Sequence, residues 1–247
     1  MPLHTTDALI LRTYKLGEAD LIVVFLTRDR GKKRGVAKGA RRPRSRYVGA
    51  LESMTRAGVA YYESEQRDLV RLNYVEPQRS PLSGASAAAL GHVGYFAELI
   101  DEWAQEAHAD ERLYRLGASV VEAMGAGVPI EPLARYFEYW ILRLQGVYPS
   151  FVCAGCGGST QTGAMMPPRD QVLLCRGCAP GGGSLLSVPA LRFLVGAGSI
   201  GPERLTAESL SDQASRELET VHRRLLSVHL EKELKSVRVL REMRQGQ

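Results

Sequence analysis

The chain of 247 residues predicts an α+β multidomain protein, with a small N-terminal β-barrel followed by an α-helical domain that carries a four-cysteine module. Three observations predict this. Apolar residues recur with period two in short runs over residues 1–79. The period becomes helical from residue 80 onward. All four cysteines fall as two C-x2-C pairs in a glycine-rich stretch between helical segments. The expected boundaries are 1–79 for the barrel, 80–247 for the helical domain and about 150–185 for its cysteine-bearing insertion.

In the first part, Leu9, Leu11 and Thr13 alternate with Ala8, Ile10, Arg12 and Tyr14. Residues 21–26 are apolar on both faces, as a strand inside a closed barrel or a sandwich can be. Asp29-Arg30-Gly31 reads as a hairpin turn into the run 32–38, and further runs cover 51–62 and 69–75. Five short strands in this space suggest a small barrel, but pattern alone does not separate an OB-fold from an SH3-like barrel. Pro77 and Pro81 mark the boundary, with Ser80 placed to cap a helix.

Beyond it, Leu90, Val93, Phe96, Ala97, Ile100, Trp103 and Ala107 fall on one helical face. Leu113, Leu116, Val120 and Met124 make a second, and Tyr136, Phe137, Trp140, Ile141 and Leu144 a third. These aromatics read as core packing rather than cofactor contacts. Helical periodicity resumes at 188–195 and runs through Leu218, Val221, Leu225 and Leu226 towards Leu240.

Cys153, Cys156, Cys175 and Cys178 form C-x2-C-x18-C-x2-C, with matched turns Cys-Ala-Gly-Cys and Cys-Arg-Gly-Cys. Two intervening residues let both sulfurs of a pair face one point, and Gly155 and Gly177 are expected to supply the backbone freedom. Four thiolates suit tetrahedral Zn2+ in a closed, structural site. An iron–sulfur centre also uses four cysteines. Free thiols or a redox pair leave the two matched turns unexplained. No secretory leader is legible at the N-terminus, so the expected location is the cytoplasm, at the nucleoid, where thiols stay reduced. No apolar run is long enough for a membrane span.

Charge is distributed unevenly. The total is +5, with a pI near 9.1. Residues 28–46 hold ten Lys/Arg and one acid, a local +9, which leaves −4 for the rest. Residues 80–111 contain no Lys or Arg and six acids: Glu98, Asp101, Glu102, Glu106, Asp110 and Glu111. Nucleic-acid binders concentrate cations in this way. Lys32, Lys33, Arg34, Lys38, Arg41, Arg42, Arg44 and Arg46 are the candidate DNA-binding residues, and Gly31, Gly35 and Gly39 would let phosphates approach the backbone. The contacts expected are to backbone and indifferent to base sequence. Tyr47 is a candidate to stack on a base or to pack in the barrel. On the last helix, Lys235, Arg238, Arg241 and Arg244 could extend a nucleic-acid path or simply complement a helix C-terminus.

Nothing in the sequence supplies a catalytic constellation. Walker, G-x-G-x-x-G, H-E-x-x-H and G-x-S-x-G motifs are all lacking, and the five histidines show no metal-ligand spacing with a carboxylate.

Several segments carry a family likeness. They are Ala8-Leu9-Ile10-Leu11-Arg12, the turn Gly17-Glu18-Ala19-Asp20, the run Ala37-Lys38-Gly39-Ala40-Arg41-Arg42-Pro43-Arg44-Ser45-Arg46, the Tyr148-Pro149 end of the aromatic helix, the paired cysteines and Leu234-Lys235-Ser236. In this order they closely resemble the RecO family. The resemblance implies an OB-fold, a helical domain with a zinc module and one Zn2+. It also implies binding of single- and double-stranded DNA and annealing of complementary strands. The partners it implies are RecR and single-strand DNA-binding protein, in loading RecA onto coated DNA. The expectation is a non-enzymatic recombination mediator. An RNA-binding translation or ribosome-assembly factor is the alternative, and a zinc-dependent nucleic-acid enzyme a third class that a closed metal site disfavours.

Overall fold

A computed structural model describes residues 1–64, 66–83 and 86–245, with side chains to Met243. The chain divides into two compact units. One comprises Met1–Gly127 together with the chain from Leu234 onward; the other is Val128–Glu233.

The first unit is built on five strands: β1 (Leu3–Leu16), β2 (Asp20–Thr27), β3 (Gly31–Ala37), β4 (Arg56–Tyr62) and β5 (Val70–Arg79). They close into a barrel in the order β1-β2-β3-β5-β4, with β4 returning to β1. All pairs are antiparallel except β3 with β5, which closes the barrel through Gly35–Val70 and Val36–Arg71. This is the five-stranded OB-fold barrel. Its interior is filled by alternate side chains, including Ile10, Val23, Phe25, Val59, Tyr61 and Leu72, all essentially inaccessible to water. Phe25 and Tyr61 meet edge to face at 5.8 Å, a geometry worth roughly 0.5–1.5 kcal/mol beyond area burial.

A bulge between Ile10 and Arg12 bends β1. Ile10 enters the barrel, while Leu9 supports helices outside it. These are α1 (Ala87–Trp103) and α2 (Glu111–Gly125). Gly117 of α2 approaches so closely that a Cβ there would lie 2.5 Å from Leu9 Cδ1 and 2.8 Å from Ile100 Cδ1. The last helix, α6 (Lys235–Gln245), packs on α1, where Met243 lies against Gly91. The Glu98 carboxylate accepts from the backbone N–H groups of Lys235 and Ser236 at 3.1 and 2.8 Å, so an anion caps the start of that helix.

The second unit contains α3 (Ile130–Leu144), a small sheet of β6 (Ala164–Met166), β7 (Leu174–Cys175) and β8 (Ser184–Leu186) in the order β7-β6-β8, then α4 (Val188–Ala197) and α5 (Asp212–Leu230). The aromatic face of α3 is core. Trp140 Nε1 donates to Ala197 O at 2.9 Å and Tyr136 OH to Ile200 O at 3.2 Å, so their polar tips are satisfied.

Several expectations are corrected. The cap of α1 is Ser86, whose hydroxyl accepts from Ala89 N–H at 3.2 Å; Ser80 instead accepts from Leu82 N–H. Ala107 is not on the α1 face, because the helix ends at Trp103 and Ala107 adopts φ +56°. The final helical run is broken at Glu231, at φ +52°, so Lys235 opens α6 and cannot complement a C-terminus. Strand gives way to helix after Arg79, where the sequence places its boundary, but α1, α2 and α6 share a compact unit with the barrel.

A buried polar chain in the second unit was not legible from spacing. His222 Nδ1 lies 2.9 Å from Glu138 Oε2, which also forms an ion pair with Arg135 Nη1 at 2.9 Å. Tyr148 OH lies 3.1 Å from His222 Nε2. Burial pushes the His222 pKa below its ordinary 6.5, outweighing the hydrogen bond and charge of Glu138, with a lesser contribution from the cation of Arg135. The ring is therefore neutral, donating from Nδ1 and accepting from the tyrosine. The native state resists taking up the proton that the unfolded chain accepts below about 6.5. Stability attributable to His222 is thus intact above that pH and falls as pH drops from there towards the lowered native value. His222→Leu should cost about 1–3 kcal/mol at neutral pH by leaving the tyrosine hydroxyl unpaired. It should also flatten the acid side of the stability profile. Urea denaturation at pH 7.5 and 5.5 checks both; an equal acid loss in the two proteins rules out His222 as its source.

Candidate nucleic-acid interface and metal centre

The cationic run does not form one uniform surface. Its first part lies on β3 and is neutralised in place. Lys32 Nζ donates to Asp101 O at 2.6 Å and pairs with Asp101 Oδ1 at 3.1 Å, where both side chains are largely shielded from water. Asp101 also holds Arg12, at 2.8 Å. Lys32 thus brings a cation to the last turn of α1, which has none of its own. Lys33 Nζ is 2.5 Å from Glu63 Oε1 and equally shielded. Arg34 pairs with Glu106 at 2.7 Å, and Arg28 with Glu111 at 2.8 Å, but all four of these side chains are more than half exposed. Exposed pairs of this kind contribute little to stability.

Of the remaining six cations, Arg30 lies 3.8 Å from Asp29, and Lys38, Arg41, Arg42, Arg44 and Arg46 lie on the connection between β3 and β4 and are exposed. Among the described residues none of the five forms a salt bridge with a carboxylate. The connection is nevertheless ordered. It runs as successive turns closed by Arg42 N–H to Gly39 O, Ser45 N–H to Arg42 O and Ala50 N–H to Tyr47 O. Tyr47 is buried in the barrel and its hydroxyl donates to Leu72 O at 3.1 Å, so it anchors the connection and is not free to stack on a base.

The Gly17–Asp20 turn braces the same connection from the other side. Asp20 Oδ1 accepts from Gly39 N–H at 2.7 Å, Ala19 O accepts from Arg41 N–H at 2.9 Å, and Glu18 O accepts from Arg41 Nη1 at 2.8 Å. Gly17 and Gly39 adopt φ +60° and +68°, where a side chain would be strained. The G-E-A-D and A-K-G-A-R-R segments are thus two halves of one platform. Arg238, on α6, is exposed with Glu242 at 3.9 Å; the side chain of Arg244 lies outside the described residues.

In the second unit the four cysteine sulfurs all lie within 4.8 Å of one another, an arrangement that could hold a metal ion. Cys156 and Cys175 Sγ are 3.9 Å apart. A tetrahedron with metal–sulfur bonds of about 2.3 Å has edges of about 3.8 Å, so the spacing fits. Cys175 N–H donates to Cys153 Sγ at 3.2 Å and holds that thiol down, at about 6. Hydrogen bonding from Cys156, then from the other two sulfurs, pushes Cys178 up to about 12. Four adjacent thiolates need a cation to coexist.

The expected glycine roles change. Neither Gly155 nor Gly177 has positive φ; Gly157 does, at +72°, where Gly157 N–H donates to Cys153 O at 2.8 Å. Gly155 instead sits at a close approach, where a Cβ would fall 3.2 Å from Cys178 Cβ and 3.3 Å from its Sγ. Nothing in the structure requires glycine at 177. Phe151 ties the module to the helices, stacking on Tyr139 and accepting through its carbonyl from Thr160 Oγ1 at 2.8 Å.

An OB-fold barrel presenting a braced cationic platform, in a chain that also carries a cluster of four sulfurs, is an arrangement of the kind that nucleic-acid-binding proteins use. Family models sharpen this. The one described as "Recombination protein O N terminal" matches residues 1–81, and "Recombination protein O C terminal" matches residues 85–238. The chain belongs to this RecO family of DNA repair and recombination proteins. It is 33% identical over 261 residues to the "DNA repair protein RecO" of Desulforudis audaxviator, covering 98% of each chain. With the protein of that name from Koribacter versatilis it shares 37% identity over 178 residues, covering 70% of this chain and 71% of the relative. With that from Anaeromyxobacter sp. strain K the figures are 33% over 241 residues, 95% and 94%. No described helix is long and apolar enough to cross a membrane.

Proposed function

We propose that the protein is a recombination mediator that acts by binding, not catalysis. It binds single- and double-stranded DNA and anneals complementary strands. With RecR it helps load RecA onto DNA coated with single-strand DNA-binding protein, at the nucleoid in the cytoplasm. The observation that carries this reading is the platform of Lys38, Arg41, Arg42, Arg44 and Arg46, exposed and without a carboxylate partner among the described residues, on an OB-fold barrel. Two strands repel through their phosphates over a screening length of about 8 Å at physiological salt. A platform that neutralises phosphates of one strand lowers the barrier to the second. Arginine grips phosphate oxygens through two bonds without reading bases, so the activity is indifferent to sequence.

Cys153, Cys156, Cys175 and Cys178 would hold one Zn2+. Four sulfurs fill a tetrahedral shell and leave no position for water or substrate, so the metal would supply folding energy to residues 150–185 and no chemistry.

Annealing of complementary oligonucleotides, with and without single-strand DNA-binding protein and with RecR added in a second series, tests the proposal. Faster annealing on both naked and coated strands is the expected result. No acceleration on either, or preferential binding of RNA in competition, overturns it.

A further inference from the structure

The acids of residues 101–111 have a role that the proposed function does not use. The segment after α1 is laid along the β2–β3 hairpin by its backbone. Lys32 N–H donates to Gln105 O at 3.0 Å and Ala107 N–H to Lys32 O at 3.4 Å. Gly31, at φ +70°, permits this approach, because a Cβ there would lie 2.5 Å from His108 N and O. The segment thereby carries Glu106 to Arg34, and Glu111 at the start of α2 meets Arg28. These two pairs differ in kind from Lys32 with Asp101. That pair is shielded, and parting it would strand a charge in a poorly hydrated place. Arg34–Glu106 and Arg28–Glu111 are open to solvent, and water or another anion can replace either carboxylate at little cost.

We propose that the hairpin carries a second, masked track for a phosphodiester backbone, formed by Arg28 and Arg34. Glu106 and Glu111 are its resident anions. A guanidinium already aimed at a carboxylate presents the fork that a phosphate accepts. Masking confines the parental protein to the platform of five cations. This inference rests on the DNA-binding reading of the platform.

Glu106→Gln with Glu111→Gln keeps the shape of both side chains and removes their charge. With five phosphates neutralised at about 0.7 each, the parental protein should bind a single strand with a log–log salt slope of about −3.5. Two further contacts should steepen the variant to about −5, so its advantage over the parent falls about sevenfold between 50 and 200 mM salt. Arg28→Gln with Arg34→Gln should leave the parental slope unchanged and return the Gln variant to about −3.5. Gly31→Ala, which forces the segment off the hairpin with every charge in place, should steepen the slope as well. If the Gln variant keeps the parental slope, or gains equally with Arg28 and Arg34 removed, the acids act only through net charge and the masked track is wrong. Charge reversal at Arg41, Arg42 and Arg44 tests the platform separately, so either idea can fail without the other.

Discussion

Cys175→Ser is expected to unfold residues 150–185 while the barrel melts as in the parent. One ligand of four is lost from a centre whose metal, in structural zinc sites, contributes on the order of 10 kcal/mol. Apart from the metal the segment is held by three short strands, a few buried side chains such as Ala164, Met166 and Leu173, and the contacts of Phe151, Thr160, Asp170 and Gln171. Cys153, Cys156 and Cys178 would be left as a crowded set of three thiols with an incomplete ligand shell. Limited proteolysis should cut the variant inside 150–185 and spare 1–79, and elemental analysis of the parent should give one zinc per chain. Parental protein that is metal-free when freshly purified, or iron-bearing and coloured, contradicts the zinc assignment. A variant as protease-resistant as the parent contradicts the structural role.

Reversing charge at Arg41, Arg42 and Arg44 together should weaken DNA binding to every sequence alike and flatten the single-strand salt slope by about two. It should slow annealing as well, since the same charges screen both strands. The fold should survive because all three side chains are exposed, although Arg41 gives up its hydrogen bonds to the carbonyls of Gly17 and Glu18. A parallel variant at Lys235, Arg238 and Arg241 tests the rival surface on α6. If the loop variant stays folded and keeps parental affinity and slope, the platform is not the DNA site and the proposed mechanism loses its physical support.

Local pattern carried much of the architecture. The apolar runs 8–11 and 21–26 marked strands, but both faces of β1 are buried over residues 8–11 because α1 and α2 cover the side that does not fill the barrel, so burial there does not alternate. The cysteine spacing specified a sulfur cluster because a two-residue gap brings sulfurs together whatever surrounds the turn. Helix ends were less legible. Ser80 and Ser86 are equally good caps in isolation, and packing of α1 on the barrel chose the second.

The sequence by itself determined the barrel-then-helix order, the four-sulfur centre and the concentration of cations in residues 28–46. Only the tertiary structure decided which of those cations are free. Lys32 and Asp101 are separated by 69 residues and Arg28 and Glu111 by 83, so no window along the chain shows that one neutralises the other. The same holds for Glu138 and His222, 84 residues apart on α3 and α5. Charge interactions depend on distance through space and on exposure to water. A run of like charges read along the sequence therefore counts its cations correctly, while the fold alone divides them into five paired with carboxylates and five with no such pair among the described residues.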